Sequence, residues 1–272
     1  MRLPHPAGSP TLSALGRGEA MGQAFKRFLE QLGDIGLLTR ECVRQAFRRP
    51  FEGGLLIEQL DSVGVRSLNV VNLTAIFTGM VLALQMGQFL ARFGAKIYIS
   101  RIMGLSLFRE MGPVLTALMI GARVGAGITA ELGSMKVTEQ IDAMRALATS
   151  PVKKLVVPRV LATVLMLPVL TVISDAVGLV GGLIIAVTQL GLGAGYFFTS
   201  MVQNTRLGDL TSGLGKAVFF GYLISIIACS KGLGATGGAD GVGRATTSAV
   251  VAASIGVLVS DFFLTKLFMA IG

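Results

Sequence analysis

The chain is poor in the residues on which most soluble chemistry depends. Among 272 residues there are no tryptophans, three tyrosines, two cysteines and one histidine, and only 14% of positions are charged. A soluble domain carries nearer a quarter charged residues, so too few polar side chains exist here to clothe a water-facing surface. His5 stands in a start that holds Pro4, Pro6 and Pro10, which excludes a Ser/His/Asp set in the hydrophobic body of the chain. Cys42 and Cys229 lie far apart without metal-ligand spacing; neither a disulfide framework nor a metal site is expected, and no residue is assigned a catalytic role. The first twenty residues lack a continuous apolar run, so no cleaved signal peptide is expected, and residues 1–22 read as disordered. Nucleotide motifs are missing too. Leu210 and Ala217 break a Walker A pattern around Gly215 and Lys216, and Gly232, Gly234 and Gly237 match GxGxxG only in a Gly/Ala/Thr-rich stretch after an apolar helix, the wrong context for a dinucleotide.

What the chain has in quantity is apolar surface: 52% of residues are hydrophobic and mean hydropathy is +0.72. Spanning about 30 Å of hydrocarbon takes roughly 20 mostly apolar residues. Five windows qualify, at about 70–90, 111–130, 160–186, 210–230 and 245–268, and residues 67–272 are read as one all-α membrane domain. Sixteen Lys and Arg fall on one side of these spans and seven on the other, with Arg123 inside a span. Cytoplasmic loops retain positive charge, which predicts a cytoplasmic N terminus and an external C terminus. The net charge of +9 fits contact with anionic headgroups, because scattered cations without aromatic partners do not make a nucleic-acid surface.

Ahead of the spans, residues 23–66 read as elbow helices on the membrane surface. Phe25, Phe28, Leu29, Leu32 and Ile35 recur at helical spacing, with Lys26, Arg27, Glu30 and Asp34 on the other face, and Pro50 ends the basic segment of Arg40, Arg44, Arg48 and Arg49. Between the second and third spans, ELGSMKVTEQIDAMRALATSP (Glu131 to Pro151) forms a short amphipathic helix. Ile141, Met144 and Leu147 share a face and Pro151 stops the helix; such an element is either a docking helix for a soluble partner or a solvated loop helix. Within the spans, Arg123 and Asp175 either mark a function or neutralise one another, and Arg109 and Glu110 stand at the external edge. Gly121 with Gly125 and Gly178 with Gly182 make GxxxG spacings suited to close helix packing.

Four stretches give the chain a family likeness: GMVLALQ (Gly79 to Gln85), REMGPVLTAL (Arg109 to Leu118), ARVGAGITAELGSMKVTEQIDAM (Ala122 to Met144) and GVGRATTSAVV (Gly241 to Val251). From about Phe25 onward the sequence resembles the MlaE/YrbE-type permeases, membrane subunits of ABC transporters that work with MCE-domain lipid-binding proteins. Members often have glycine directly before the arginine of the third block, where Ala122 stands here. The resemblance implies a homodimer in the bacterial inner membrane moving phospholipid to or from a periplasmic MCE protein. ATP and Mg would be bound by a separate ATPase subunit and no cofactor by this chain. It implies ATPase coupling through Glu131, Met135, Thr138, Glu139, Gln140, Ile141, Asp142, Met144 and Arg145. A lipid pathway is implied along the first and fifth spans, with Met80, Leu84, Gln85, Arg109, Glu110 and Val250. Two other classes remain open on the residues alone: a self-contained carrier or channel using Arg123 and Asp175, and a membrane organiser without transport.

Overall fold

The computed structural model describes residues 33–46 and 53–271 and contains helices and no strand among them. Residues 33–46 form α1. Then follow α2 (Gly53–Val63), α3 (Leu68–Arg92), α4 (Ile99–Ser106), α5 (Gly112–Ile120), α6 (Ala126–Val137), α7 (Gln140–Ala146), α8 (Val157–Thr188), α9 (Ala194–Asn204), α10 (Leu207–Leu233) and α11 (Gly238–Ile271). Five continuous helical stretches are long and apolar enough to cross a membrane: Gly53–Arg92, Lys96–Val137, Val152–Thr188, Leu207–Leu233 and Gly238–Ala270. Each outruns the apolar window that announces it, because helices continue through polar ends that a hydropathy window discards. The second reaches 42 residues by joining α4, α5 and α6.

The joints in that second stretch are π-helical turns, Leu107–Met111 and Gly121–Gly125. Such turns widen the helix locally and re-aim side chains, and here they carry Arg109, Glu110 and Arg123. The first stretch begins earlier than its window, since α2 runs through a 3-10 turn into α3. Gly64 permits this continuation against α8: a Cβ there would strike the Met166 side chain.

Spans two, three and four form the trunk, and the first and fifth flank it. In the fourth, 61% of the apolar window is buried; in the fifth, 17%. Glycines set the closest approaches. A Cβ on Gly79 of α3 would overlap the Gly178 backbone of α8, and one on Gly181 would overlap that of Ile76, so these two helices meet almost backbone to backbone. Gly121 and Gly125 lie against Ile224 of α10. Both GxxxG pairs are thus at helix contacts, where small residues replace the hydrophobic driving force that lipid removes.

The larger apolar cluster includes Ile120, Leu132, Val160, Leu167, Phe220 and Ile224. A smaller one, at the end of the bundle opposite α7, gathers Met103, Leu107, Leu179, Ile185, Phe197 and Met201 around α9. The expected interfacial helix falls mainly on residues 23–32, outside the described residues, as do Arg48, Arg49 and Pro50. Its continuation, α1, packs Ile35, Leu38 and Cys42 onto the larger cluster, and the Thr39 and Tyr222 hydroxyls share a 2.5 Å hydrogen bond.

Candidate functional site

At the end of the bundle opposite α7, charges from three spans close into one network. Pro113 lacks an N–H and so cannot donate to the carbonyl four residues back, that of Arg109. The Lys216 Nζ of α10 donates to this oxygen at 3.0 Å, to the Glu110 carboxylate at 2.8 Å and to the Thr265 hydroxyl of α11 at 2.6 Å. It also lies 3.0 Å from Asp261 Oδ1. An ammonium has three protons, and four acceptors surround this one. The Asp261 oxygen accordingly receives its charge without a hydrogen bond. Lys216 is buried, its side chain 1% exposed.

Beside it, Arg109 Nε donates to Asp209 Oδ1 at 2.6 Å, and the other Asp209 oxygen accepts the Arg206 backbone N–H at 2.9 Å. That second bond caps α10, where a carboxylate also meets the positive end of the helix dipole. The network borders a cavity of about 530 Å³ whose walls combine Arg109, Arg206 and Lys216 and the carboxylates Glu110 and Asp209 with Ser212, Phe268 and Met269. Cations, hydroxyls and apolar side chains in one concavity suit an amphiphile with a charged head.

Sequence reasoning placed Arg109 and Glu110 at this edge but missed Asp209, Lys216, Asp261 and Thr265 as their partners. A signal existed. Asp209 and Lys216 are seven residues apart and Asp261 and Thr265 four, spacings that put each pair on one helix face.

The intramembrane pair does not form. Arg123 Nη1 donates to the Ser67 hydroxyl at 2.6 Å and lies 3.4 Å from the Ser62 carbonyl, fastening the second span to the start of the first. Asp175 is buried without any hydrogen bond or ion pair among the described residues. Asp175 lies beside Gly112, eleven residues along the second stretch from Arg123 or about 16 Å of helix rise, so the two charges stand at different depths.

At the other end, α6 breaks at Glu139, whose φ of 61° is left-handed, and α7 leaves at a corner. Of the residues expected to couple, several serve the fold. Glu131 pairs with buried Arg159 at 2.7 Å, Met135 packs on the larger cluster and Ile141 is fully buried. Asp142 accepts from Lys136 at 2.7 Å and from Arg145 at 3.3 Å; the Lys136 hydrogen bond holds its carboxyl below the usual carboxylate range. Thr138, Glu139, Gln140 and Arg145 face outward, and Met144 is half-buried.

Leu147 does not share the buried face of Ile141, and is 79% exposed. The helix has already ended, because Ala148 adopts a φ of 55° and donates to Arg145 O while Thr149 donates to Met144 O at 3.0 Å. This is a Schellman ending, three residues before Pro151. On the flanking spans, Met80 and Leu84 point inward onto the smaller cluster, Val250 is half-buried and Gln85 faces out. The outward stripe of α3 is Leu73, Phe77 and Val81.

The family model described as Permease MlaE matches residues 56–267. The chain is similar to a probable ABC transporter permease protein of Rickettsia conorii, 43% identical over 252 residues that cover 93% of this chain and 97% of that protein. It is similar to the intermembrane phospholipid transport system permease protein MlaE of Haemophilus influenzae, 36% identical over 93% of this chain and 97% of that one. A chloroplastic Arabidopsis thaliana protein, TRIGALACTOSYLDIACYLGLYCEROL 1, is 37% identical over 78% of this chain and 61% of its own length.

Proposed function

Because the chain belongs to the MlaE permease family, we propose that it is the membrane subunit of an ATP-driven transporter moving phospholipid between the bacterial inner membrane and a periplasmic MCE-domain protein. Two copies pair, and separate ATPase subunits bind ATP and Mg. The observation that carries this reading is a single helical stretch, Lys96–Val137, which has the charged cavity near one end and leads into the exposed α7 at the other. The end with α7 is cytoplasmic, in keeping with its excess of Lys and Arg, and the cavity opens toward the periplasm.

Force on α7 then enters the second span directly. Glu131–Arg159 ties that span to the third, and Lys136–Asp142 braces α7 against its own span. The two π turns along the way are the places where a long helix re-registers without losing its hydrogen bonds wholesale. At the cavity, the exposed Arg206 and the half-exposed Arg109 hold the phosphate of a headgroup, with Lys216 buried behind them as the anchor of the network, and the apolar wall of Phe268 and Met269 receives the start of its acyl chains. Closure of the ATPases moves α7, shifts the Leu107–Met111 turn and alters the grip on the headgroup.

The docking face is Thr138, Glu139, Gln140 and Arg145. Glu139→Lys with Gln140→Lys replaces one charge and adds another on exposed side chains, so the chain still inserts and folds. Affinity purification from the native membrane should recover an ATPase and phospholipid with the parent chain and at least tenfold less ATPase with the double variant. Undiminished recovery of the ATPase would sink the assignment of α7 as the coupling element.

A further inference from the structure

Asp175 has no part in the network just described. It lies midway along α8, is 6% exposed, and its Oδ1 is buried without a hydrogen-bond partner among the described residues. Its Oδ1 sits so near Gly112 that a Cβ there would collide with it. Gly112, Thr116 and Ser174 form part of the wall of a crevice of about 10 Å³ between the first three spans, the rest of which is mainly apolar, with Val71, Leu107 and Met119 among its residues; it has room for about one water molecule. The Thr116 hydroxyl, 2% exposed, is likewise without a partner. Two buried polar groups from different helices therefore stand at one small crevice, Thr116 in its wall and Asp175 beside Gly112 at its edge, although lone buried polar groups are strongly disfavoured.

No cation faces the carboxyl from the elements packed around it. Between Leu68 and Leu90, α3 bears no charged residue, and α5 bears none. On the adjoining π turn Arg109 is held by Asp209; on α10 Lys216 is held by Glu110 and Asp261, and Lys231 stands at the opposite end of that helix; on α8 itself Arg159 is paired with Glu131. Arg101 of α4 is exposed, Asp61 of α2 is paired with Arg66, and Arg123 is bonded to Ser67. An unpaired ion buried inside a membrane bundle is far costlier than a neutral acid. We propose that Asp175 is carried as a neutral carboxylic acid and that, with Thr116 and Ser174, it forms a buried site for one proton and one water molecule at the junction of the first three spans.

The neutral acid both donates and accepts: its O–H and the bound water satisfy Thr116 and the carboxyl oxygens together. The site stands apart from the transport reading, since none of its groups touches the charged cavity.

Infrared spectra of the full chain in lipid nanodiscs at neutral pH, compared between wild type and Asp175→Asn, read the proton directly. The expected result is a protonated-carboxyl C=O band that is lost in Asp175→Asn, with the melting temperature within a few degrees of wild type because the amide replaces the acid in shape and hydrogen bonding. Thr116→Val should keep that band and shift its frequency, as a water-linked partner is removed. Absence of the band from the wild type overturns the proposal. So does a wild-type melting temperature that rises on exchanging potassium for sodium and loses that response in Asp175→Asn, which would make the site a carboxylate holding a metal cation.

Discussion

At the scale of single residues, Lys216 decides the most. A hydropathy window counts it as one tolerable charge near the start of a span, and on that count it looks like an ordinary flank. Its surroundings differ from that picture: two carboxylates, a hydroxyl and a carbonyl that a proline has set free. Removing one member of a buried ionic cluster leaves the others uncompensated and destabilises by about 3–5 kcal/mol. Lys216→Met should therefore unfold at markedly lower temperature in detergent, while the triple change Lys216→Met, Glu110→Gln, Asp261→Asn recovers most of the loss. A single variant as stable as the parent would show that the cluster is not held as an ionic unit. The partners were hidden from sequence reasoning because they are contributed by other spans, Thr265 49 residues away and Glu110 106.

Among elements, the junction of α3 and α8 shows what small residues do. The GxxxG spacing of Gly178 and Gly182 was legible, but its partner helix was not, since Gly79 opens the GMVLALQ stretch without a second glycine at packing distance to mark a contact. Gly79→Ala places a methyl in the Gly178 backbone, and overpacking of this kind destabilises by about 1–3 kcal/mol. Gly127→Ala is the matched control, as nothing lies within 4 Å of its Cβ. Thermal unfolding should separate the two variants; equal melting temperatures would argue against this helix contact. The short α7 was visible in its alternation of apolar and charged residues, but its ends were not. Left-handed Glu139 and Ala148 set them, and neither is the glycine or proline from which such a boundary is read.

For the whole molecule, five apolar windows sufficed to announce five long helices, because bilayer thickness imposes their length whatever their neighbours do. Which helices form the trunk was less accessible, since every span looks alike to a hydropathy scale. Orientation can be tested with the native thiols left in place. Cys42 and Cys229 are buried, and burial pushes the Cys42 thiol up to about 11, so neither competes for a thiolate-directed reagent. Leu147→Cys and Leu207→Cys introduce exposed thiols at opposite ends, at positions 79% and 84% exposed. An impermeant maleimide added to intact cells with a permeable outer membrane should label position 207 and spare 147; the reverse pattern would invert the proposed topology. The Lys216 cluster also bears on how the chain is made. Asp261 and Thr265 belong to α11, which leaves the ribosome after α10, so an already inserted Lys216 waits with Glu110 as its ion-pair partner until α11 follows. Closure of that cluster is thus a chemical mark that α11 has taken its place, and chains that stop before Gly238 present membrane quality control with an under-compensated ammonium ion.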